Sequence, residues 1–293
     1  MAIRVRLRNK PSAEVSLWQD AWRRLRRNRL AVLGGLVIVA LGFMAIFADV
    51  IAPYHYTKAH FLHTYEFPNR NFLLGTDSLG RDMLSRIIYG ARISMLVGFV
   101  AQLIVVSIGV PIGAVSAFYG GKVDLVIMRF VDVMYAFPRL LFVILLMSML
   151  GAGLFNIFIA IGLTGWVNIA RLTRAQILSL KEKEFSEGAR AAGASGLWVL
   201  GKHLLPNALT PIIVAVTFGI PEAIFTEAAL SFIGVGINPP TPSWGQMVGE
   251  YQQYILSYWY LCVFPSVAIA LTMLAFTFLG DGVRDALDPK LRD

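Results

Sequence analysis

Charged residues are scarce in this sequence of 293 residues: Asp, Glu, Lys and Arg make up 15% of it, against about 25% in a typical soluble domain. The apolar residues instead gather in runs long enough to cross a bilayer, which takes roughly 20 residues per helix. Backbone polar groups within lipid must be hydrogen-bonded to other backbone groups, which only helices and closed barrels achieve. These runs show no period-two alternation, which argues against a barrel. The sequence therefore predicts an all-α membrane protein.

Six transmembrane helices are predicted from these apolar runs. The runs span residues 30–51, 93–121, 140–170, 209–237 and 251–280, and the third contains two helices joined by a tight turn at 151–153. The segment between spans four and five is charged and rich in Ala and Gly, and it is predicted to stand out from the membrane surface.

The basic residues are unevenly distributed, which predicts the sidedness of the chain. Nine of the 26 Lys and Arg lie in residues 1–29, and basic residues collect on the cytoplasmic side. Membrane topology thus accounts for the net charge of +8, and nucleic acid is not expected as a partner. The predicted order is a cytoplasmic basic segment (1–29), a first helix (30–51), an outer loop with an amphipathic helix (52–92), a five-helix core (93–280) and a cytoplasmic tail (281–293).

The sequence also lacks the residue patterns of most enzymes. It has one cysteine, Cys262, which excludes a disulfide within the chain. No zinc-protease, nucleophile-elbow or dinucleotide-binding motif occurs, and residues 196–203 depart from a phosphate-binding loop because His203 stands where a hydroxyl is required. His55, His60 and His63 leave metal capture open, beside the simpler interpretation of a solvated loop. We expect a non-catalytic chain that binds no cofactor itself.

Residues 181–209 predict a short helix, a sharp bend and a second helix. Gly193 can end the first helix in a left-handed conformation, Ser195 can cap the second, and Pro206 is expected to break it. Small residues on the first helix would let another protein approach closely, with Glu184, Glu187 and Arg190 orienting the contact. A plain solvated connector is the alternative.

This segment resembles the EAA loop of ABC-importer permeases. The match rests on Glu-Gly-Ala at 187–189, Gly193, and Leu-Pro at 205–206; Gly188 replaces an Ala of the pattern and His203 an Ile. In that family the loop is a coupling helix that docks in a groove of a cytoplasmic ATPase subunit. The resemblance implies that Glu187, Gly188, Ala189 and Gly193 contact the ATPase here.

Three further stretches are similar to the peptide- and nickel-type permeases, specifically to the second permease of the heterodimer. They are Leu-Gly-Thr-Asp-Ser-Leu-Gly-Arg-Asp-Met-Leu-Ser-Arg at 74–86 with Tyr-Gly-Ala-Arg-Ile-Ser at 89–94, Leu-Ser-Phe-Ile-Gly-Val-Gly-Ile-Asn-Pro-Pro-Thr-Pro-Ser-Trp-Gly at 230–245, and Gly-Asp-Gly-Val-Arg-Asp-Ala-Leu-Asp-Pro at 280–289. The resemblance covers the chain from about residue 22 onward.

Two of these stretches are expected on the outer face. Residues 75–94 predict an amphipathic helix with Asp77 as its cap and a favourable pair between Asp82 and Arg86. Residues 234–245 are too rich in Pro and Gly for a regular helix, and Trp244 is expected at the membrane interface. Either stretch can contact an outside partner, or act only as an anchor or rigid turn; the candidate contacts are Asp77, Arg81, Asp82, Arg86, Pro239, Pro240 and Trp244.

Two acidic residues fall inside the fifth span, Glu222 and Glu227. Ionisable residues in spans usually face a cavity or a partner, so one of them is expected on the transport pathway, with an ion pair within the complex as the alternative.

The resemblance implies a permease subunit of an ATP-driven importer in a bacterial or archaeal cytoplasmic membrane. Its partners would be a second permease, one or two ATPase subunits that use ATP, an external substrate-binding protein and membrane lipid. Di- or oligopeptides are the implied substrate; nickel, glutathione and oligosaccharide are alternatives. A self-contained secondary transporter is the alternative from another class, although the internal repeats typical of that class are not found.

Overall fold

A computed structural model describes residues 17–288 of the chain, and within them the regular elements are helices joined by loops, with no strand. The elements are α1 (Leu17–Arg27), α2 (Arg29–Ile46), α3 (Ala48–Ile51), α4 (Met83–Tyr119), α5 (Gly121–Ala136), α6 (Arg139–Leu150), α7 (Leu154–Lys181), α8 (Glu184–Ala191), α9 (Gly196–Val199), α10 (Leu205–Phe232), α11 (Trp244–Tyr251) and α12 (Tyr260–Leu287). A π-helical turn joins α9 to α10. The predicted all-α fold is confirmed; the predicted segment 1–29 and the tail lie partly outside the described residues.

Five helical bodies are long and apolar enough to cross a membrane: α2, α4, α7, α12 and the body Gly196–Phe232 that contains α10. There is a sixth span if α5 and α6, which meet at 86°, together count as one. In the predicted run 140–170, the part before the turn at 151–153 is only α6, which is short for a span. Alone, the 12 residues of α6 would cover about 18 Å of a hydrocarbon core that is about 30 Å thick.

The packing of α4 against α7 shows why the bent pair must cross. Gly109 and Gly113 of α4 lie against the carbonyl oxygens of Trp166 and Ala170, so residue numbers rise together along the contact and the two helices run parallel. The connecting chain must return from one end of the bundle to the other. It does so along α7: α5 begins beside its C-terminal part, with Asp124 Oδ1 2.5 Å from Arg174 Nε, and α6 ends beside its N-terminal part.

The fourth helix differs from its prediction at its start. Residues 76–82 form a tight turn closed by an isolated bridge between Thr76 and Asp82, and the helix begins only at Met83. Asp82 is the cap, with its carboxylate accepting a 2.8 Å hydrogen bond from the Ser85 N–H. The predicted amphipathic helix at 75–94 is thus wrong over its first eight residues, and Asp77 is not the cap, because its carboxylate bonds within the turn.

Two other boundaries shift. The last span begins at Tyr260 rather than 251, because residues 252–259 form a 3-10 turn and a loop after α11. It then extends to Leu287, so most of the predicted tail that the structure describes is helix.

The bundle has two ends. The α8 end holds α8, the start of α2 and the last residues of α4, α7 and α12; the α11 end holds α11, the loop 52–82 and the starts of α4, α7 and α12. The charge distribution predicts that the α8 end is cytoplasmic.

Sidedness can be tested with single cysteines in a Cys262→Ala background. Leu62 and Ala152 are exposed at the α11 end and Ala191 is exposed at the α8 end. We expect a membrane-impermeant maleimide added outside intact cells to label Leu62→Cys and Ala152→Cys, and Ala191→Cys only after permeabilisation. Labelling of Ala152→Cys only from the inside would mean that α5 and α6 do not cross the membrane.

Candidate functional site

The predicted projecting helix is present as α8, and no residue within 17–288 covers its outward side. Its exposed polar and glycine residues are here called the α8 surface: Glu184, Glu187, Gly188 and Arg190. A Cβ built on Gly188 would meet no neighbouring atom within 4 Å. The inward side is fixed, because Ser186 Oγ donates a 2.7 Å hydrogen bond to the Leu180 carbonyl oxygen. α8 therefore offers a small-residue surface with charges at its edges.

Gly193 ends α8, as predicted. Its φ is +87°, and its N–H donates to the Arg190 carbonyl while the Ala194 N–H donates to the Ala189 carbonyl, at 2.9 and 3.0 Å. These two bonds are a Schellman motif, and its left-handed residue costs a side chain with a Cβ about 1–2 kcal/mol. The direction in which the chain leaves α8 therefore depends on a glycine. Gly193 is exposed and Ala189 is half-buried.

The second helix of this loop begins as predicted but does not end as predicted. Ser195 Oγ accepts a 3.3 Å hydrogen bond from the Trp198 N–H. Pro206 was expected to break the helix, and this is wrong: the chain is one helical body over Gly196–Phe232. The π turn at Leu200–Leu204 resets the hydrogen-bond pattern, so that Pro206 falls in the first turn of α10, where a missing N–H costs little.

The loop is attached to three long helices. Val199, Leu204 and Ala208 pack in one apolar cluster with Ala117 of α4 and Ile177 of α7. Lys181 Nζ also donates hydrogen bonds to the last carbonyl groups of α4, at 2.9 and 3.2 Å. The loop is therefore in contact with α4, α7 and α10 together.

A second polar site lies at the opposite end, where buried charges join the loop before α4 to α11. Asp77 is at its centre, with its carboxylate 2.6 Å from Arg81 Nε and 2.5 Å from Arg86 Nη1. Arg86 Nη2 also donates to Glu250 Oε2 at 3.0 Å and to Gln246 Oε1 at 3.2 Å. We call this set the α11 network: Asp77, Arg81, Arg86, Gln246, Glu250 and Tyr251.

The acidic and basic side chains of the α11 network are equal in number, because Tyr251 stays neutral and Glu250 is ionised. Burial raises the pKa of Tyr251 to about 12, so its hydroxyl stays protonated and donates to Glu250 Oε1 at 3.0 Å. Burial alone would raise the pKa of Glu250, but Arg86, Gln246 and Arg81 together hold that pKa below its usual value. Glu250 is therefore ionised at neutral pH, and the network contains two basic and two acidic side chains.

This geometry corrects most of the predicted outer-face contacts. The side chains that are buried, and so cannot contact an outside partner, are those of Asp77, Arg81, Asp82, Arg86 and Trp244. Trp244 was expected at the membrane interface, partly exposed to water. It is fully buried instead, and its Nε1 donates a 3.0 Å hydrogen bond to the Ile87 carbonyl. Arg86 pairs with Asp77 and Glu250 instead of Asp82. Pro239 and Pro240 are exposed, and their role stays a prediction.

The two acidic residues of α10 have different environments. Glu222 forms an ion pair with Arg139, the first residue of α6, and the pair lines a cavity of about 240 Å³ with Gln102 and Asn168. Glu227 is fully buried, and its Oε1 accepts hydrogen bonds from Ser231 and Ser243 at 2.8 and 2.7 Å. Glu227 is therefore excluded from an open pathway, and Glu222 remains the candidate.

Sequence reasoning does not single out Arg139, Glu250 or Tyr251. Arg139 could have been identified from the sequence, because it is a lone charge beside a proline between two apolar stretches. Glu250 has none, since nothing in the sequence places it beside Arg86, 164 residues earlier.

The loop histidines do not converge on a metal site. His63 Nδ1 lies 2.5 Å from Glu66 and His55 Nδ1 lies 2.7 Å from Thr57. No group of three or more His, Cys, Asp or Glu within residues 17–288 is placed to hold a metal ion.

Two family models match this sequence. Residues 109–293 match the binding-protein-dependent transport system inner membrane component, and residues 16–71 match the N-terminal transmembrane domain of oligopeptide transport permease C.

Individual proteins are similar along nearly the whole chain. The oligopeptide transport system permease protein OppC of Bacillus subtilis is 44% identical over 95% of this chain and 91% of its own length. The dipeptide transport system permease protein DppC of the same organism is 44% identical, over 95% and 87%. The glutathione transport system permease protein GsiD of Escherichia coli is 41% identical, over 97% and 94%.

Among solved structures, an inward-facing MetNI methionine ABC transporter chain superposes with a TM-score of 0.60 and 19% identity. The superposition covers 70% of this chain and 98% of that chain, and it shows a shared fold.

The α11 network gives a stability prediction. Asp77→Asn keeps the shape of the side chain but leaves Arg81 and Arg86 with one carboxylate between them. Breaking a buried charge pair typically costs about 3–5 kcal/mol. We expect a large fall in the thermal unfolding midpoint of the detergent-solubilised protein. Asp49→Asn is the matched control, because Asp49 pairs with Arg92 at 2.8 Å on an exposed surface, and little change is expected there. Similar small shifts in both variants would refute a structural role for the network.

Proposed function

This chain belongs to the family of binding-protein-dependent transport system inner membrane components, and we propose that it is one permease subunit of an ATP-driven importer of di- or oligopeptides. Two of its relatives, at 44% identity, are oligopeptide and dipeptide permeases. A glutathione permease at 41% identity keeps glutathione as a second candidate. Nothing among these relatives favours nickel or oligosaccharide.

We infer that the α8 surface is where the energy-supplying ATPase subunit docks. The observation that supports this docking site is that α8 is hydrogen-bonded to the end of α7 on one side, while its other side is exposed within the described residues. Gly188 leaves room for close backbone approach, and Glu184, Glu187 and Arg190 can pair with charges of the partner. The remaining partners are a second permease subunit and a substrate-binding protein on the outer side, where Pro239 and Pro240 are exposed. The α8 end and both termini are then cytoplasmic.

In this proposal, transport is driven by a difference between the contacts that the ATPase makes with α8 in its two nucleotide states. An ATPase that changes shape with nucleotide binds α8 differently in its two states, and only such a difference can shift the permease between conformations. The movement of α8 reaches the membrane through the apolar cluster around Leu204 and through the Lys181 bonds to α4. No residue of this chain takes part in hydrolysis, and ATP is used by the partner.

Reconstitution tests the proposal. In proteoliposomes the purified chain alone should neither hydrolyse ATP nor move peptide. Assembled with an ATPase, a second permease and a binding protein of a peptide importer, it should take up di- and tripeptides only with ATP. Uptake by the isolated chain driven by an ion gradient would instead establish a secondary transporter.

The coupling loop gives a further prediction. Gly193→Val places a β-branched side chain at φ +87°, which misdirects α8, so we expect loss of ATPase co-purification and of uptake while the protein still inserts. Glu187→Ala removes one charge on a solvated surface, where an ion pair is worth under about 1 kcal/mol, and should lower uptake only in part.

The matched control is Gly42→Val. Gly42 lies in α2, where an added Cβ also meets no atom within 4 Å, and assembly should be unaffected. Full activity of Gly193→Val together with complete loss in Glu187→Ala would show that a charge contact, rather than the geometry of the loop, dominates coupling.

A further inference from the structure

We propose that the Arg139–Glu222 pair is a mid-membrane subsite on the wall of the transport pathway, where a zwitterionic substrate exchanges its terminal charges with the two side chains. The inference rests on the proposed function and adds to it a location and a chemistry of recognition.

The position of the pair excludes a lipid environment. Glu222 lies within the apolar helix α10, and its side chain is 56% exposed, while that of Arg139 is 25% exposed. An ionisable group facing hydrocarbon is costly, so such groups face a water-filled cavity or another protein. Leu36 of α2 and Leu271 of α12 are exposed apolar side chains of the kind that suits lipid. The surface at Glu222 differs, because it combines the apolar Phe225 with an ion pair.

Charges continue from this pair toward the α8 end. Arg129 and Asp132 are exposed on α5, and residues three apart share one face of a helix. Arg139 lies beside Gly165, near the middle of α7, whereas Asp124 pairs with Arg174 near its end. Charged residues thus follow α5 from the end of the bundle to its middle, among exposed apolar side chains such as Val126 and Phe130. We infer that the charged positions on this mixed surface face the aqueous path.

The break between α5 and α6 adds a second site for an anion. α6 begins after Pro138 with no side-chain cap, so the first N–H groups of the helix have no partner within it. Helix N-termini carry partial positive charge, and broken helices in transporters place such ends beside anionic substrate groups. Arg139 stands at this end, and its buried Nε has no hydrogen-bond partner among the described residues. A substrate carboxylate is therefore matched to Arg139 and the start of α6.

Space for substrate is available beside the pair. The cavity of about 240 Å³ is lined in part by Gln102, whose Nε2 donates a 2.8 Å hydrogen bond to the Gly219 carbonyl oxygen. A Cβ at Gly219 would come within 2.4 Å of the Gln102 side chain, and one at Gly165 within 3.1 Å of the Arg139 guanidinium. Because both positions are glycine, the side chains of Gln102 and Arg139 have room beside the cavity.

The charge chemistry suits a molecule with one charge of each sign. A substrate carboxylate can take the place of Glu222 beside Arg139, and a substrate ammonium can take the place of Arg139 beside Glu222. No net charge is added to the middle of the membrane at any point. A substrate that lacks one terminal charge leaves one member of the pair without a partner, which is costly in a low-dielectric site.

The first test asks whether this face is aqueous. In the full importer with Cys262→Ala, Phe225→Cys places a thiol one turn from Glu222 without disturbing the pair, because Phe225 is exposed on the same side. A charged methanethiosulfonate reagent should label Phe225→Cys and Asp132→Cys, with different rates in nucleotide-free and vanadate-trapped complexes. Leu271→Cys, equally exposed but on the apolar surface of α12, should stay unlabelled. No labelling of Phe225→Cys in either state would overturn the proposal.

The second test asks whether the pair recognises terminal charges. Uptake of trialanine and of trialanine amide is measured per peptide bound to the binding protein. In Arg139→Gln the preference for trialanine over its amide should fall about tenfold or more, the typical worth of one charge-assisted hydrogen bond, while ATPase stimulation by loaded binding protein persists.

A merely structural pair would lower uptake of both peptides equally, and that result would overturn the inference, as would an unchanged preference. Arg92→Gln is the control, since Arg92 belongs to an ion pair at the outer edge of the bundle. If the unsubstituted importer moves no peptide at all, the proposed function fails, whereas the labelling test still decides whether the face is aqueous.

Discussion

The close parallel packing of α4 against α7 is the constraint on which the rest of the bundle depends. Glycines at the contact let the backbone of α4 meet carbonyl oxygens of α7, and a larger residue at Gly113 would come within 2.3 Å of the Ala170 oxygen. Because the pair is parallel, the chain between them must return to the other end of the bundle. It returns in two short helices, α5 and α6, rather than one. The segment that contains Pro138 and the partly buried Arg139 is thus required by how two other helices pack.

Local sequence signals predict the parts of this protein that are determined locally. The end of α8 at Gly193 and the cap at Ser195 require only that one residue be free to adopt positive φ and another carry a hydroxyl. The apolar runs likewise identify the spans, since any helix that crosses a bilayer needs roughly 20 mostly apolar residues. Pro206 shows the limit of such signals, because a π turn that ends two residues earlier changes what its missing N–H costs.

The α11 network could not be predicted, for a different reason. Arg81 and Arg86 look like outer-surface charges in the sequence, and nothing near them reveals that Glu250 and Tyr251 close over them. The same holds for Trp244, whose burial depends on the space beside Gly90. Long-range neighbours decide burial, so a motif shared with a family can be structural where a partner contact is expected. Charges that remain exposed, such as those on α8 and Glu222 of α10, are available for function.

The unbroken helix Gly196–Phe232 acts as a lever. Glu222 lies 26 residues beyond its first residue, which at 1.5 Å per residue is a distance of roughly 40 Å. A tilt of about 5° at the end near α8 would shift Glu222 by about 3 Å, as much as the length of a hydrogen bond. A small rotation at the α8 end is therefore enough to separate, or bring together, the charged atoms of Arg139 and Glu222. Had Pro206 broken the helix, that rotation would be lost at the membrane surface.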